Sequence, residues 1–108
     1  MIWRIRDRAT FEALAGARRR RRGPISMTFL PGDPSVPPRV AYAVGKRVGP
    51  AVVRNRVRRR LRAATLAHRA ELLPGGAYLF GAAPTAGAVP FAEIDAAMGE
   101  LLAAAGRS

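Results

Sequence analysis

The 108-residue chain contains no cysteine, which rules out disulfide scaffolds, thiolate metal sites and a cysteine nucleophile together. It has one histidine, His68, so a histidine-rich metal cluster is excluded as well. Acids are scarce, with seven Asp and Glu scattered along the chain, and no paired-carboxylate or Ser-His-Asp arrangement has a full set of members. A protein-only nuclease would need several carboxylates close together to hold metal ions. Aromatic residues make up only 6% of the chain, so the core must rely on Val, Leu, Ile and Ala. No apolar run approaches the roughly 20 residues of a membrane span. The opening Met-Ile-Trp-Arg-Ile-Arg-Asp-Arg lacks the apolar stretch of a secretory signal, and the expected location is the cytoplasm.

What the chain has in excess is positive charge. Nineteen Lys and Arg against seven acids give a formal net charge of +12, and eighteen of the nineteen are arginine. The excess is concentrated: between Asp33 and Glu71 there is no acid, while the stretch carries ten bases. Such crowding is self-repulsive, and a polyanion is the partner that relieves it. Arginine suits that role, because its planar fork matches phosphates and base edges better than an ammonium does.

At this length one domain with one core is expected, spanning residues 1–108. Asp7 or Thr10 can cap a first helix through about Ala17, with Phe11 and Leu14 on one face. Arg18 to Arg22 followed by Gly23-Pro24 read as a loop. Ile25–Leu30 alternates as a strand does, Pro31 to Pro38 is a turn, and Arg39–Val44 is a further strand. The strongest helix runs from about Pro50, a residue at home in a first turn, to Leu72. Val53, Val57, Leu61, Ala64, His68 and Leu72 form its apolar stripe, on which His68 reads as a packing residue. Arg54, Arg58 and Arg62 lie beside that stripe, with Asn55 and Arg59 beyond them. Arg60 falls at the apolar edge, its stem packing and its head reaching water. Ala77–Gly81 makes another strand, and Pro90 opens a last helix bearing Phe91, Ile94, Met98, Leu101, Leu102 and Ala105. The whole predicts a small α+β domain, helices packed on one sheet.

Between Val44 and Arg62, a glycine-rich turn feeds a helix whose exposed side is almost continuous guanidinium. Lys46 and Arg47 flank the helix start, where backbone N–H groups favour anions. The arginines beyond can track phosphates. Asn55 supplies both a donor and an acceptor for a base edge, a ribose hydroxyl or a water.

This block resembles the ribonuclease P protein family. The resemblance rests on Arg54-Asn55-Arg56, on the preceding Val44-Gly45-Lys46-Arg47-Val48-Gly49, and on Val57-Arg58-Arg59-Arg60-Leu61-Arg62. More loosely it extends to the Phe11 helix, the Phe29 strand, Tyr78-Leu79-Phe80 and the closing helix. It implies about four strands and three helices in the order α-β-β-β-α-β-α, with a left-handed βαβ crossover. It also implies a non-catalytic protein subunit of a ribonucleoprotein endoribonuclease, one protein to one RNA. The RNA and its Mg²⁺ ions cut the 5′ leader from precursor tRNA, and the protein alone holds no metal tightly. Lys46, Arg47, Arg54, Asn55, Arg56, Arg58, Arg59 and Arg62 fall on the motif that faces the catalytic RNA, and Phe11 and Phe29 on the leader cleft. Three positions depart from the family pattern: Pro50 after the second turn glycine, Ala15 where a second aromatic is common, and Ala82-Ala83 in place of a basic pair. Two rival readings of the basic helix are a ribosomal RNA-binding protein and a DNA-binding regulator with Arg54 to Arg62 in the major groove.

Overall fold

The structure is a computed structural model and describes residues 1–106. Its elements are β1 (Trp3–Arg4), α1 (Arg8–Ala15), β2 (Arg19–Arg22), β3 (Ile25–Leu30), β4 (Arg39–Ala43), α2 (Ala51–Ala67), β5 (Ala77–Ala82) and α3 (Phe91–Gly106). The five strands form one mixed sheet in the order β1-β4-β5-β3-β2. β4 and β5 are parallel neighbours joined through α2, while β3 pairs antiparallel with both β5 and β2.

Strand alternation sorts the sheet into two faces. Ile25, Met27, Val40, Tyr78 and Phe80 point to the side covered by α2 and α3, where they join Val57, Leu61, Ala64, Ile94, Met98 and Leu102 in the main core. Val57, Leu61 and Ala64 are fully buried, one unbroken stripe at helical spacing. Burying a Val or Leu side chain stabilises by roughly 1.5–3 kcal/mol, so this stripe is what fixes α2 on the sheet. On the opposite face α1 sets Leu14 against Ile5 and Ala77, with Leu30, Ala41 and Leu79 around them. Asp7 caps α1: its Oδ2 accepts from the Thr10 N–H at 2.9 Å, and Oδ1 takes a hydrogen bond from Arg39 Nη1 at 3.2 Å.

Several expectations are corrected. The sheet has five strands rather than about four. Arg19–Arg22, expected as a loop, is an edge strand paired with Ile25–Thr28 across a turn in which Gly23 takes φ 55°. Four identical side chains carry no apolar alternation, so the strand left no signature in the sequence. β1 is too short to leave one. α2 stops at Ala67 rather than Leu72; a 3-10 turn over Arg69–Glu71 then brings Leu72 back into the core. Pro50 is the cap residue rather than the first helical one, and α1 ends at Ala15. His68 is no plain packing residue: its ring nitrogens lie 3.1 Å from Glu71 Oε2 and 3.1 Å from Asp95 Oδ1, joining the end of α2 to α3. Among the described residues, no helix is long and apolar enough to cross a membrane.

Candidate nucleic-acid interface

The basic helix is aimed by the turn before it. After β4, Val44 and Val48 are buried, and a 3-10 turn over Lys46–Val48 lies between them. Gly49 follows at φ 147°, a backbone conformation that side chains rarely adopt. With Val48 anchored in the core, Lys46 and Arg47 are left exposed at the mouth of α2, whose first turn contains no acid.

Along α2 the cations divide into two sets. Arg54 Nε donates to the Gly49 carbonyl at 3.2 Å, so this arginine braces the glycine turn. Arg58 donates to Asn55 Oδ1 at 3.1 Å and to the Val44 carbonyl at 3.3 Å. Arg56 and Arg60 turn the other way, toward residues 84–89. Arg56 Nη2 donates to the Gly87 carbonyl and Arg60 Nη1 to that of Val89. Arg56 is therefore half-buried and does not display its charge on the open face, and Arg60, also half-buried, sets one guanidinium nitrogen on a carbonyl. Arg59 and Arg62 are exposed, the latter 6.0 Å from the centre of the Tyr42 ring.

Among the described residues, the ion pairs use Arg8, Arg22, Arg39 and His68, and none involves a cation between Lys46 and Arg62. The array from Lys46 to Arg62 is thus uncompensated by any carboxylate among the described residues. Such a surface raises the local concentration of anions and contacts phosphates through charge-assisted hydrogen bonds. No group of three or more His, Asp or Glu among the described residues is placed to hold a metal ion.

The structure does not bring the two expected cleft phenylalanines together. Phe11 lies on α1, half-exposed, on one face of the sheet. Phe29 shares the opposite face with Ile25 and Met27 and packs against Tyr78 at 4.9 Å between ring centres. The small side chain of Ala15 leaves Phe11 the sole ring on α1. Two features were not anticipated. Arg19 and Arg21 sit opposite Thr28 and Ser26, extending positive charge along the α1 side of the sheet. Trp3 stands 44% exposed at the β1 edge.

The family model described as ribonuclease P matches residues 2–106. A ribonuclease P protein component from Thermobifida fusca is 40% identical over 113 residues, covering 96% of this chain and 76% of that protein. The corresponding protein of Beutenbergia cavernae is 46% identical over a shorter stretch of 63 residues, 58% of this chain and about half (53%) of its own length. The crystal structure of the Staphylococcus aureus RNase P protein superposes with a TM-score of 0.80 at 20% identity, covering 95% and 94% of the two chains, a likeness of fold.

Proposed function

The chain belongs to the ribonuclease P protein family, and from that premise we propose that it acts as the protein subunit of a ribonucleoprotein that removes the 5′ leader of precursor tRNA. In this reading the protein performs no bond cleavage. Its exposed cations, Lys46, Arg47, Arg59 and Arg62 with Asn55 among them, bind the catalytic RNA. Arg54 and Arg58 hold the turn and helix in the shape that RNA meets. Phe11, on the opposite face of the sheet from α2, faces the leader. Mg²⁺ belongs to the RNA, and the protein lowers the concentration needed by neutralising phosphates.

The observation that carries the proposal is the array from Lys46 to Arg62 without a carboxylate partner. An exposed cation set of this size, left unpaired within the fold, is matched by a polyanion. If about six phosphates are contacted, log K for RNA falls with log[salt] at a slope of roughly −4 to −5. The deciding experiment adds the purified chain to the cognate RNA and a precursor tRNA at low Mg²⁺. Correct 5′ cleavage rises if the proposal holds; no gain refutes it.

A further inference from the structure

Residues 84–89, between β5 and α3, carry no charge, yet they pack against both the cationic turn over Lys46–Val48 and α2. The segment is firmly held. The Ala83 N–H donates to the Pro24 carbonyl at 2.8 Å and the Ala86 N–H to that of Ala83 at 2.9 Å, while the Ala86 side chain is fully buried. From α2, Arg56 and Arg60 take hold of the Gly87 and Val89 carbonyls.

Val53, in the first turn of α2, is the piece between this segment and the turn. A Cβ on Gly87 would lie 2.7 Å from Val53 Cγ1 and 3.7 Å from the Val48 carbonyl oxygen. A Cβ on Gly49 would lie 3.2 Å from the same Cγ1 and 3.2 Å from Val53 Cβ. The half-buried Val53 side chain therefore meets two glycines, one in the turn and one in the segment. Gly49 is required by its φ of 147°, but Gly87 has no positive φ, so space alone excludes a side chain there. Val53 has little room to yield, because a β-branched side chain in a helix keeps nearly one χ1 rotamer. In contacts this close a displacement is passed on rather than absorbed. Arg54 Nε completes the hold on the turn, 3.2 Å from the Gly49 carbonyl oxygen.

We infer that Gly87 is a positioning residue for RNA binding: its missing side chain lets Val53 seat against Gly49, and that contact sets where the turn holds Lys46 and Arg47. The inference rests on the RNA-binding reading and adds to it a residue that acts from behind the array. The segment offers RNA no cation of its own, so it acts on the array through packing. A turn already fixed spares binding the ordering of its two cations, and a displaced turn gives up phosphate contacts.

Binding of the cognate RNA subunit is measured across a salt series for the full chain and its variants, with each urea midpoint taken alongside. Gly87→Ala should weaken binding about fivefold or more and reduce the salt slope by roughly 1–2, as if one or two phosphate contacts were lost. Lys46→Ala with Arg47→Ala should do the same, and Gly87→Ala added to that pair should bring no further loss. Val53→Ala, which frees Gly49 from its neighbour, should also weaken binding. Gly87→Ala with Val53→Ala moves a methyl from one side of the contact to the other and should recover affinity over either change alone. Gly99→Ala is the control: its Cβ would meet the His68 ring at 3.0 Å, on α3, so it should lower stability and leave affinity and slope unchanged. A folded Gly87→Ala protein with unaltered affinity and slope overturns the inference. So does a loss that adds in full to that of the Lys46 and Arg47 changes, or a double variant that recovers nothing. If Gly87→Ala does not fold, Val53→Ala decides, and unaltered affinity there overturns the inference. Absence of RNA binding by the unaltered chain overturns the RNA-binding reading itself.

Discussion

Arg56 reaches out of α2 to the backbone of Gly87, its Nη2 donating to the carbonyl oxygen at 3.0 Å across 31 residues of sequence. One helical turn later Arg60 repeats the contact with the Val89 carbonyl at 2.9 Å. The two arginines clamp the segment between β5 and α3 onto α2. The third residue of the Arg54-Asn55-Arg56 motif is therefore a structural tie, and the motif serves the fold on one side and the solvent face on the other.

This division separates stability from binding. Arg56→Ala should lower the unfolding free energy by about 1.5–3 kcal/mol, the range for a hydrogen bond from a charged group, read as a shifted urea midpoint. Arg59→Ala should leave stability within about 0.5 kcal/mol and reduce the salt slope of RNA binding by about 1. An Arg56→Ala protein of unchanged stability would remove the clamp from the account.

Gly75 takes φ 75° in the turn that leads into β5, and its N–H donates to the Val36 carbonyl at 2.8 Å. A Cβ added there would run into the Asp33 backbone, which a side-chain adjustment cannot relieve. Gly75→Ala should cost about 2 kcal/mol or more in thermal or urea unfolding. Gly45 is the contrast, since it has open space around the added atom and an ordinary φ of −82°. Gly45→Ala should be neutral or stabilise by up to about 1 kcal/mol, through a less mobile unfolded chain.

Burial pushes the Tyr78 and Tyr42 hydroxyls above the usual tyrosine range. A group whose folded pKa is raised contributes stability that is complete below its unfolded value and lost as the pH climbs through the folded one. The protein should hold its stability up to about pH 10 and lose it above, through tyrosine ionisation. Tyr78→Phe should flatten that alkaline limb in a pH series of urea midpoints. At neutral pH it should cost about 1 kcal/mol, for the hydrogen bond from the Leu73 N–H to the phenol oxygen.

At the acid end the sign reverses. The Thr10 hydroxyl and N–H hold the Asp7 carboxyl below the usual carboxylate range, helped by Arg39. Its contribution is present above about pH 4 and fades as the pH falls through the depressed folded value. Amide exchange in α1 should accelerate there before exchange in α2 does, and Asp7→Ala should bring the faster exchange to neutral pH. Equal acceleration in both helices would place the acid-sensitive group elsewhere.

The sequence carried the elements that repeat a period. β3, β4 and β5 alternate, α2 and α3 recur at helical spacing, and the glycine turn before α2 is where its residues put it. β2 was hidden because a strand of arginines at a sheet edge buries no apolar side chain on either face, and apolar burial is what writes alternation into a chain. Two site details were nonetheless readable. Phe29 follows Ile25 and Met27 by twos, which assigns it to the core side. Arg56 follows Val53 by three and precedes Arg60 by four, which places it beside the apolar stripe rather than on the open flank. Trp3 had no such marker, since its setting depends on where a two-residue strand meets β4.

The β2 edge bears on how the protein behaves before it meets its partner. An outer strand offers its edge to any neighbouring molecule, and two such rims brought together would join two sheets into one. Here the rim is Arg19–Arg22, so a second copy approaching it would have to stack guanidinium on guanidinium at strand spacing. That repulsion should keep concentrated protein dispersed at low salt, and added salt, by screening it, should favour clumping just where it would weaken the proposed hold on RNA.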